Sequence, residues 1–561
     1  MKKKSLALIS AVLVLTMLLS ACGGTSNSPS PSPSATAPEA TEPAGTETPD
    51  AGAQEIIFAL QNQPDNIDPS ITNNSFAWAA LINCFEGLVT YDTTDGSLTA
   101  GNAKDWTISD DGLVYTFNLR EGLKWSDGTP LTAEDYVYTF QRVLTPETTA
   151  NYFGLLADYV LNAQEFYDGE ATAEELGVKA LDENTLELTL KAPTPFYIDI
   201  LTMWTFAPVQ KATVEENGDS WTLNADSYVS NGPFMMSDMK LGESFTIVKN
   251  PNYWDAENVK LDQITFRYIA DPATALSAFE TGEIDGSFTV PPADSARLRM
   301  GGTGVISVQS YATVFYSINN QKAPYDNPLV RKAFNLAIDR NALINDVVQL
   351  SGAPAYSAVA PGYTVDGDEF ASTRSTFGLS PTADVEAARE ALSEAGYPDG
   401  EGFPTLTLSY YTNENAKKIA EAMAEMLKEN LNIEVELFNE DWAIYKEERL
   451  LKGDFDIAHT GWGADYLHPM TFLALLKADD MNNYAKYSNA EYDDLIAQAK
   501  VETDPVAALE LMRQADNLAS GEYPLIPLYY RQNEMLLNDN VQGFYYSPSN
   551  HLFFRNAFIA E

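Results

Sequence analysis

The chain has 561 residues, 45% of them hydrophobic and 11% aromatic, enough apolar material for two or three packed domains and too much for a disordered or fibrous protein. Its 34 basic and 80 acidic residues give a formal net charge of −46, a field that repels nucleic acid and anionic lipid over the short range that salt allows. Two cysteines in unlike contexts, Cys22 at the end of an apolar leader and Cys84 inside the apolar stretch 79–89, exclude a disulfide framework. Cys84 reads as a small buried hydrophobe.

In chain order, residues 1–22 run from a basic start (Lys2, Lys3, Lys4) through an apolar segment, Leu6 to Leu19, to Leu19-Ser20-Ala21-Cys22. The apolar segment is too short to span a bilayer in a mature protein. The small residues before Cys22 resemble a bacterial lipobox, which implies lipidation of the Cys22 thiol and cleavage in front of it. Two acyl chains suffice for stable anchoring. Residues 23–53 contain no Ile, Leu, Val, Met or aromatic residue; they form a tether with a mean reach of roughly 30 Å. No later apolar run reaches the length of a membrane span.

From Glu55 onward short strands alternate with amphipathic helices. Val330, Phe334, Ala337 and Ile338 make a helical core stripe. Between Thr405 and Trp462, Leu406, Leu408 and Tyr410 alternate as a strand, Ile419, Ala422, Met423, Met426 and Leu427 recur at helical spacing, and Ile433, Val435 and Leu437 alternate again. This strand–helix–strand unit predicts parallel pairing with a right-handed crossover. A second helix is expected over about 441–451, then a strand at Phe455–Ala458 and a loop, Thr460-Gly461-Trp462-Gly463-Ala464-Asp465. Ligand crevices of open α/β sheets lie beyond the carboxyl ends of the strands, where this loop falls.

Catalytic signatures are missing: there is no GxSxG, HExxH, GxxxxGK[ST], paired CxxC or calcium-loop spacing. The spacing of His459 and His468 matches no standard metal-ligand motif, and His468 before Pro469 reads as a helix entry. The expectation is a protein without enzymatic activity, metal or cofactor, although 80 carboxylates leave a hydrolase dyad open as an alternative.

Six strings in order carry a family resemblance: Cys84-Phe85-Glu86-Gly87-Leu88, 123–130 (LKWSDGTP), 249–255 (KNPNYWD), Gly282-Glu283-Ile284-Asp285, 318–324 (INNQKAP), and Gly461-Trp462-Gly463-Ala464-Asp465-Tyr466. Together they resemble the extracytoplasmic solute-binding proteins of peptide ABC transporters (family 5), the oligopeptide-binding branch above all. The resemblance implies a two-lobed α/β periplasmic-binding-protein-like fold of type II, with the ligand in the interlobe cleft. Lobe one would comprise 54–287 with an extra subdomain at about 86–210, completed by 555–561, and lobe two 288–554. The partners implied are short peptides and the permease subunits of an ABC transporter, with the chain acting as a monomer held by its lipid at the outer face of the bacterial cell membrane.

The same resemblance assigns the site. Asp465, by itself a loop aspartate equally able to cap a turn, matches the carboxylate that receives a peptide's α-ammonium. Asn73, Ser75, Gly461 and Gly463 fall in segments that pair with peptide backbone, and Trp442, Trp462 and Tyr152 on positions that line the peptide. Lys322 matches a basic residue that meets the peptide's carboxylate, and Arg449 another cation near the groove. Two positions depart from the family pattern: His459 stands where an arginine is expected and Ala416 where a histidine is, which leaves the preferred peptide length open. A relative binding a metal chelate or sugar is the alternative within the fold.

Overall fold

The computed structural model describes residues 54–560, apart from 75, 302, 303 and 366 and the side chains of 292, 293, 296 and 443. The leader, Cys22, the tether and Ser75 lie outside the described residues. Glu55–Leu60 (β1) begins the folded part, and its alternation sends Ile56, Phe58 and Leu60 into the core. An antiparallel sheet of its own follows, made by Ala103–Ile108 (β2), Val114–Leu119 (β3), Val178–Asp182 (β4) and Thr185–Thr189 (β5) in the order β2-β3-β5-β4. Tyr115, Phe117, Leu186 and Leu188 bury its inner face.

The chain then builds a large mixed sheet. Phe234–Lys240 (β6), Ser244–Lys249 (β7) and Gln263–Tyr268 (β8) form an antiparallel meander, with β8 parallel to β1 and Phe58 opposite Phe266. Gly286–Ser287 (β9) lies on the other side of β1. Beyond it come Val305–Ile318 (β10), Leu406–Tyr411 (β11), Val435–Glu440 (β12), Ile457–Gly463 (β13) and Leu525–Leu537 (β14). The order is β12-β11-β13-β10-β14-β9-β1-β8-β7-β6, with Gly352–Pro354 also paired to β14. The two halves of the sheet meet where Gly286 and Ser287 of β9 pair with Leu537 and Leu536 of β14.

Helix signals act as expected. Pro328–Leu336 (α1) is capped by the Asn327 side chain, which accepts from Leu329 N, and Val330, Phe334, Ala337 and Ile338 are buried. Glu414–Leu431 (α2) is capped by Asn413, buries Ile419, Met423 and Leu427, and ends at Asn432 in the left-handed region (φ 55°). It joins β11 to β12, which are parallel from Leu406↔Val435 to Tyr411↔Glu440. Cys84 is buried at the end of a helix, Trp78–Cys84, and burial raises its thiol far above the usual range; it packs as a hydrophobe.

Two details differ from the sequence reading, and a third, the helix entry at His468, agrees with it. The expected loop at Thr460–Gly463 is strand: β10 lies antiparallel to β13 from Ala312↔Gly463 to Ile318↔Ile457, and this ladder holds extended two glycines that locally read as a turn. The helix expected over 441–451 is a short turn, Trp442–Ile444, continued by a π-helical turn, Tyr445–Leu450. Pro469 precedes the helix Met470–Leu473, and His468 Nδ1 accepts from Met470 N at 3.3 Å, a capping role.

The junction of the half-sheets has no room for a side chain at Gly286, where a Cβ would meet the Phe58 ring at 2.5 Å and Leu536 O at 2.8 Å. Gly286→Ala is expected to destabilise the protein by about 1–3 kcal/mol. Calorimetric melting of the variant against the parent checks this, and an unchanged transition would show that the junction yields.

Candidate functional site

The sequence-derived site residues concentrate on and beyond β13. This strand pairs with β10 along its whole length but with β11 only at Ile457 and Ala458. From His459 onward, no strand covers its other edge among the described residues. Such an edge offers backbone N–H and C=O groups to an extended partner. Gly461 is needed for the close approach of β10, since a Cβ there would meet Thr313 O at 2.9 Å, whereas Gly463 has nothing nearer than the Ala312 methyl at 4.0 Å.

Two residues past the strand, Asp465 sits deep among protein atoms with a partly open face. Its Oδ2 accepts from Trp462 Nε1 at 3.2 Å and from Thr471 Oγ1 at 3.3 Å. No cation pairs with it among the described residues. Burial therefore dominates and pushes its pKa up to about 6, against the pull of the two hydrogen bonds. Tyr152, half-buried, stands edge-on to Trp204 at 5.7 Å. Burial raises its phenol above the usual range, and the nearby Asp465 charge adds to that. Trp204 Nε1 donates to Thr72 O at 3.1 Å and Asn151 Nδ2 to Ile71 O at 2.7 Å. These bonds hold the segment bearing the exposed Asn73 beside Tyr152. The structure thus brings Asn73, Tyr152, Trp462 and Asp465 into one region.

A second group forms around Tyr411 at the carboxyl end of β11. His459 meets Tyr316 and Tyr411 edge-on at 5.0 and 5.2 Å, and Trp442, half-exposed, meets Tyr411 at 5.2 Å. His459 is buried and its Nδ1 has no hydrogen-bond partner; burial lowers its pKa to about 4, so it is neutral near pH 7. It supplies no positive charge in place of the family arginine. Ala416 is buried in the first turn of α2.

The two expected cations are engaged elsewhere. Arg449 grips Glu440 at 2.8 and 3.1 Å, contacts Asp454, and lies over the Phe438 ring at 4.4 Å. Lys322 Nζ pairs with Asp456 at 2.5 Å. Asp456 precedes β13 at the end opposite Gly463, so Lys322 is up to about 30 Å along the strand from Asp465. Sequence reasoning missed Thr471 and Tyr411: one meets Asp465 only through the turn that follows it, and the other is one tyrosine among 29.

An open strand edge, a carboxylate without a counter-ion and a sheet in two halves suit a protein that encloses a ligand. The family model "Bacterial extracellular solute-binding proteins, family 5 Middle" matches residues 97–484. The chain belongs to this family. It is 32% identical over 571 residues to the oligopeptide-binding protein OppA of Bacillus subtilis, covering 99% of this chain and 100% of the relative. To the periplasmic oligopeptide-binding protein OppA of Salmonella typhimurium it is 34% identical over 523 residues, 92% and 94% of the two chains. The crystal structure of Haemophilus influenzae OppA in complex with RPPGFSPFR superposes with a TM-score of 0.72 at 32% identity, covering 91% of this chain and 99% of that one. The fold is the two-lobed α/β fold of family 5 solute-binding proteins. No helix among the described residues is long and apolar enough to cross a membrane.

The raised pKa of Asp465 has a stability consequence with a definite sign. Its carboxyl titrates near 6 in the folded protein against 3.8 ordinarily, so holding the charge costs stability above about pH 6, and the cost fades as pH falls through 6 toward 4. Unliganded Asp465→Asn is therefore expected to melt above the wild type at pH 7.5, on the order of 1–2 °C, and level with it at pH 4. Melting curves at both pH values check this; a lower transition at pH 7.5 would mean that the carboxylate is stabilising.

Proposed function

We propose that the chain captures short peptides in an interlobe cleft, holding the α-ammonium on Asp465 and the backbone along the open edge of β13 and the segment around Asn73 and Ser75. The observation that carries the reading is a deep carboxylate with two neutral donors and, among the described residues, no cation. A carboxylate so placed favours an ammonium-bearing ligand over a sugar or a metal chelate, because only the former supplies the missing charge and its hydrogen-bond donors together. Tyr152, Trp462 and Trp442 line the ligand in this reading. Lys322 and Arg449 stay with their own carboxylates.

In the same reading the lobes are 54–287, completed by 555–561, and 288–554, and they hinge together over the peptide. Cys22 carries the lipid, residues 23–53 tether the body to the outer face of the membrane, and the closed form hands its cargo to an ABC permease. Family membership supports a binding role without catalysis.

Truncating one partner of an enclosed, hydrogen-bonded charge pair typically costs about 2–5 kcal/mol, on the order of 30-fold to several thousand-fold in affinity. Asp465→Asn is expected to weaken a free-amine peptide by that much, and N-acetylating the peptide to weaken it equally on the wild type. Both changes remove one interaction, so their combined loss should fall well short of the sum. Calorimetry on the four combinations decides; additive losses would remove Asp465 as the anchor.

The lipid assignment has a separate test. Cys22→Ala is expected to shift the protein from the membrane fraction to precursor or medium, read by fractionation and intact mass. Correctly processed variant that still needs detergent for release would overturn it.

A further inference from the structure

With Lys322, Arg449 and His459 unable to offer a free positive charge, the other end of a zwitterionic ligand lacks a partner among the residues the sequence pointed to. This question rests on the peptide reading. The strand register supplies a candidate. Along β14, Tyr529, Arg531 and Asn533 alternate onto one face. Tyr529 pairs with Val314 of β10, and Val314 with Gly461 of β13, so these three share that face in one row across the sheet. Beyond it β13 and β10 carry the Gly463–Ala312 pair, while Arg531, two residues on from Tyr529, has no partner on β10 and pairs with Gly352 at its other edge. Here β10 bulges, from Gln309↔Gln532 to Thr313↔Tyr530, and Arg531 faces the bulge. Two strand spacings put the Arg531 backbone about 10 Å from Gly463.

The surroundings of Arg531 come from three separate stretches of chain, β11, β14 itself and the segment after it. Tyr529 on its strand is packed in the same core as β11, and Tyr411 in turn touches His459 and Trp442. On its other side Asn533 Nδ2 donates to Pro548 O at 3.5 Å, next to Tyr546. Burial raises the phenols of Tyr411, Tyr529 and Tyr546, and in each the neighbouring Arg531 charge pulls the other way. The guanidinium is thus near enough to all three phenols for its charge to act on them. Arg531 is exposed, and among the described residues it has no carboxylate within ion-pair distance and no side-chain hydrogen bond. In a chain with 80 acidic and 34 basic residues, an arginine left without a carboxylate on the face that also bears Gly461 and Gly463 is free for an anion brought from outside.

We propose that Arg531 binds a carboxylate of the captured peptide, supplied by its C-terminus or by an acidic side chain. Guanidinium and carboxylate match as a two-point, charge-assisted pair. Asp465 lies two residues beyond Gly463, so the two anchors are on the order of 10–15 Å apart, an interval covered by about three or four extended residues. The position of Arg531 on β14, in place of a cation on β13 or at the start of α2, then decides which peptides fit with both ends held.

Isothermal calorimetry with the full mature chain tests this, using trialanine and tetraalanine with free or amidated C-termini, and tetraalanines carrying Glu or Gln at the third place. Arg531→Gln is expected to weaken the free-acid probes at least tenfold while leaving the unliganded melting temperature unchanged, and Arg531→Lys to retain part of the affinity. If the C-terminus is the partner, amidation weakens the wild type as much as Arg531→Gln does and has no further effect on that variant. If a side chain is the partner, the wild type prefers Glu over Gln and Arg531→Gln loses the preference. Arg531→Gln binding every probe as tightly as the wild type would overturn the proposal while leaving the Asp465 anchor standing. A wild type that binds no peptide would remove the peptide reading itself and this proposal with it.

Discussion

The pairing of β10 with both β13 and β14 is the constraint on which the remaining features depend. β10 is 14 residues long and lies between two partners, antiparallel to each. By holding β13 from one side only, it keeps Thr460–Gly463 extended while leaving the opposite edge of that strand open beyond Ala458. By holding β14 over most of its 13 residues, it carries the sheet to the short β9 contact that joins the two halves. A long central strand of this kind stabilises the sheet by backbone hydrogen bonds and side-chain rows, whereas the β9–β14 contact is two residues long.

Electrostatics set Asp465 apart within this frame. The chain carries far more carboxylates than cations, and its partly buried arginines are largely engaged internally: Arg142 with Asp68 at 2.6 Å, Arg374 with Asp516 at 2.9 Å, Arg449 with Glu440. Against that background an Asp465 with only neutral donors is an exception. Unpaired charge in a low-dielectric surrounding is costly, and a site that keeps such a cost in the empty protein gains affinity when a ligand supplies the opposite charge. His459 illustrates the reverse solution, a buried base kept neutral with its Nδ1 unpartnered.

Much of the fold was legible because it rests on local pattern. The β11–α2–β12 unit, the α1 stripe of Val330, Phe334, Ala337 and Ile338, and the burial of Cys84 follow from periodicity and polarity within a few residues. Failures came where a long-range partner overruled the local signal. Gly461 and Gly463 read as turn residues until β10, some 150 residues earlier in the chain, placed a ladder beside them. Another feature hidden from the sequence is that Asp456 and Glu440 fold against Lys322 and Arg449, read there as cations near the groove.

The sequence by itself therefore determined the class of protein: six ordered strings and an absence of catalytic signatures pointed to the solute-binding family, and the Gly-Trp-Gly-Ala-Asp string pointed to Asp465. What only the tertiary structure decided is which charges are free. Whether a carboxylate or guanidinium is satisfied depends on atoms within about 4 Å, which chain folding brings from anywhere in the sequence. Among the described residues, Asp465 shares its oxygen with Trp462 and Thr471 and no cation, Lys322 is paired at the far end of β13, and Arg531 stands without a carboxylate on the face that also bears Gly461 and Gly463. Residue type and spacing set what each group can do; the distances set by the fold determine which of them still has a bond to make.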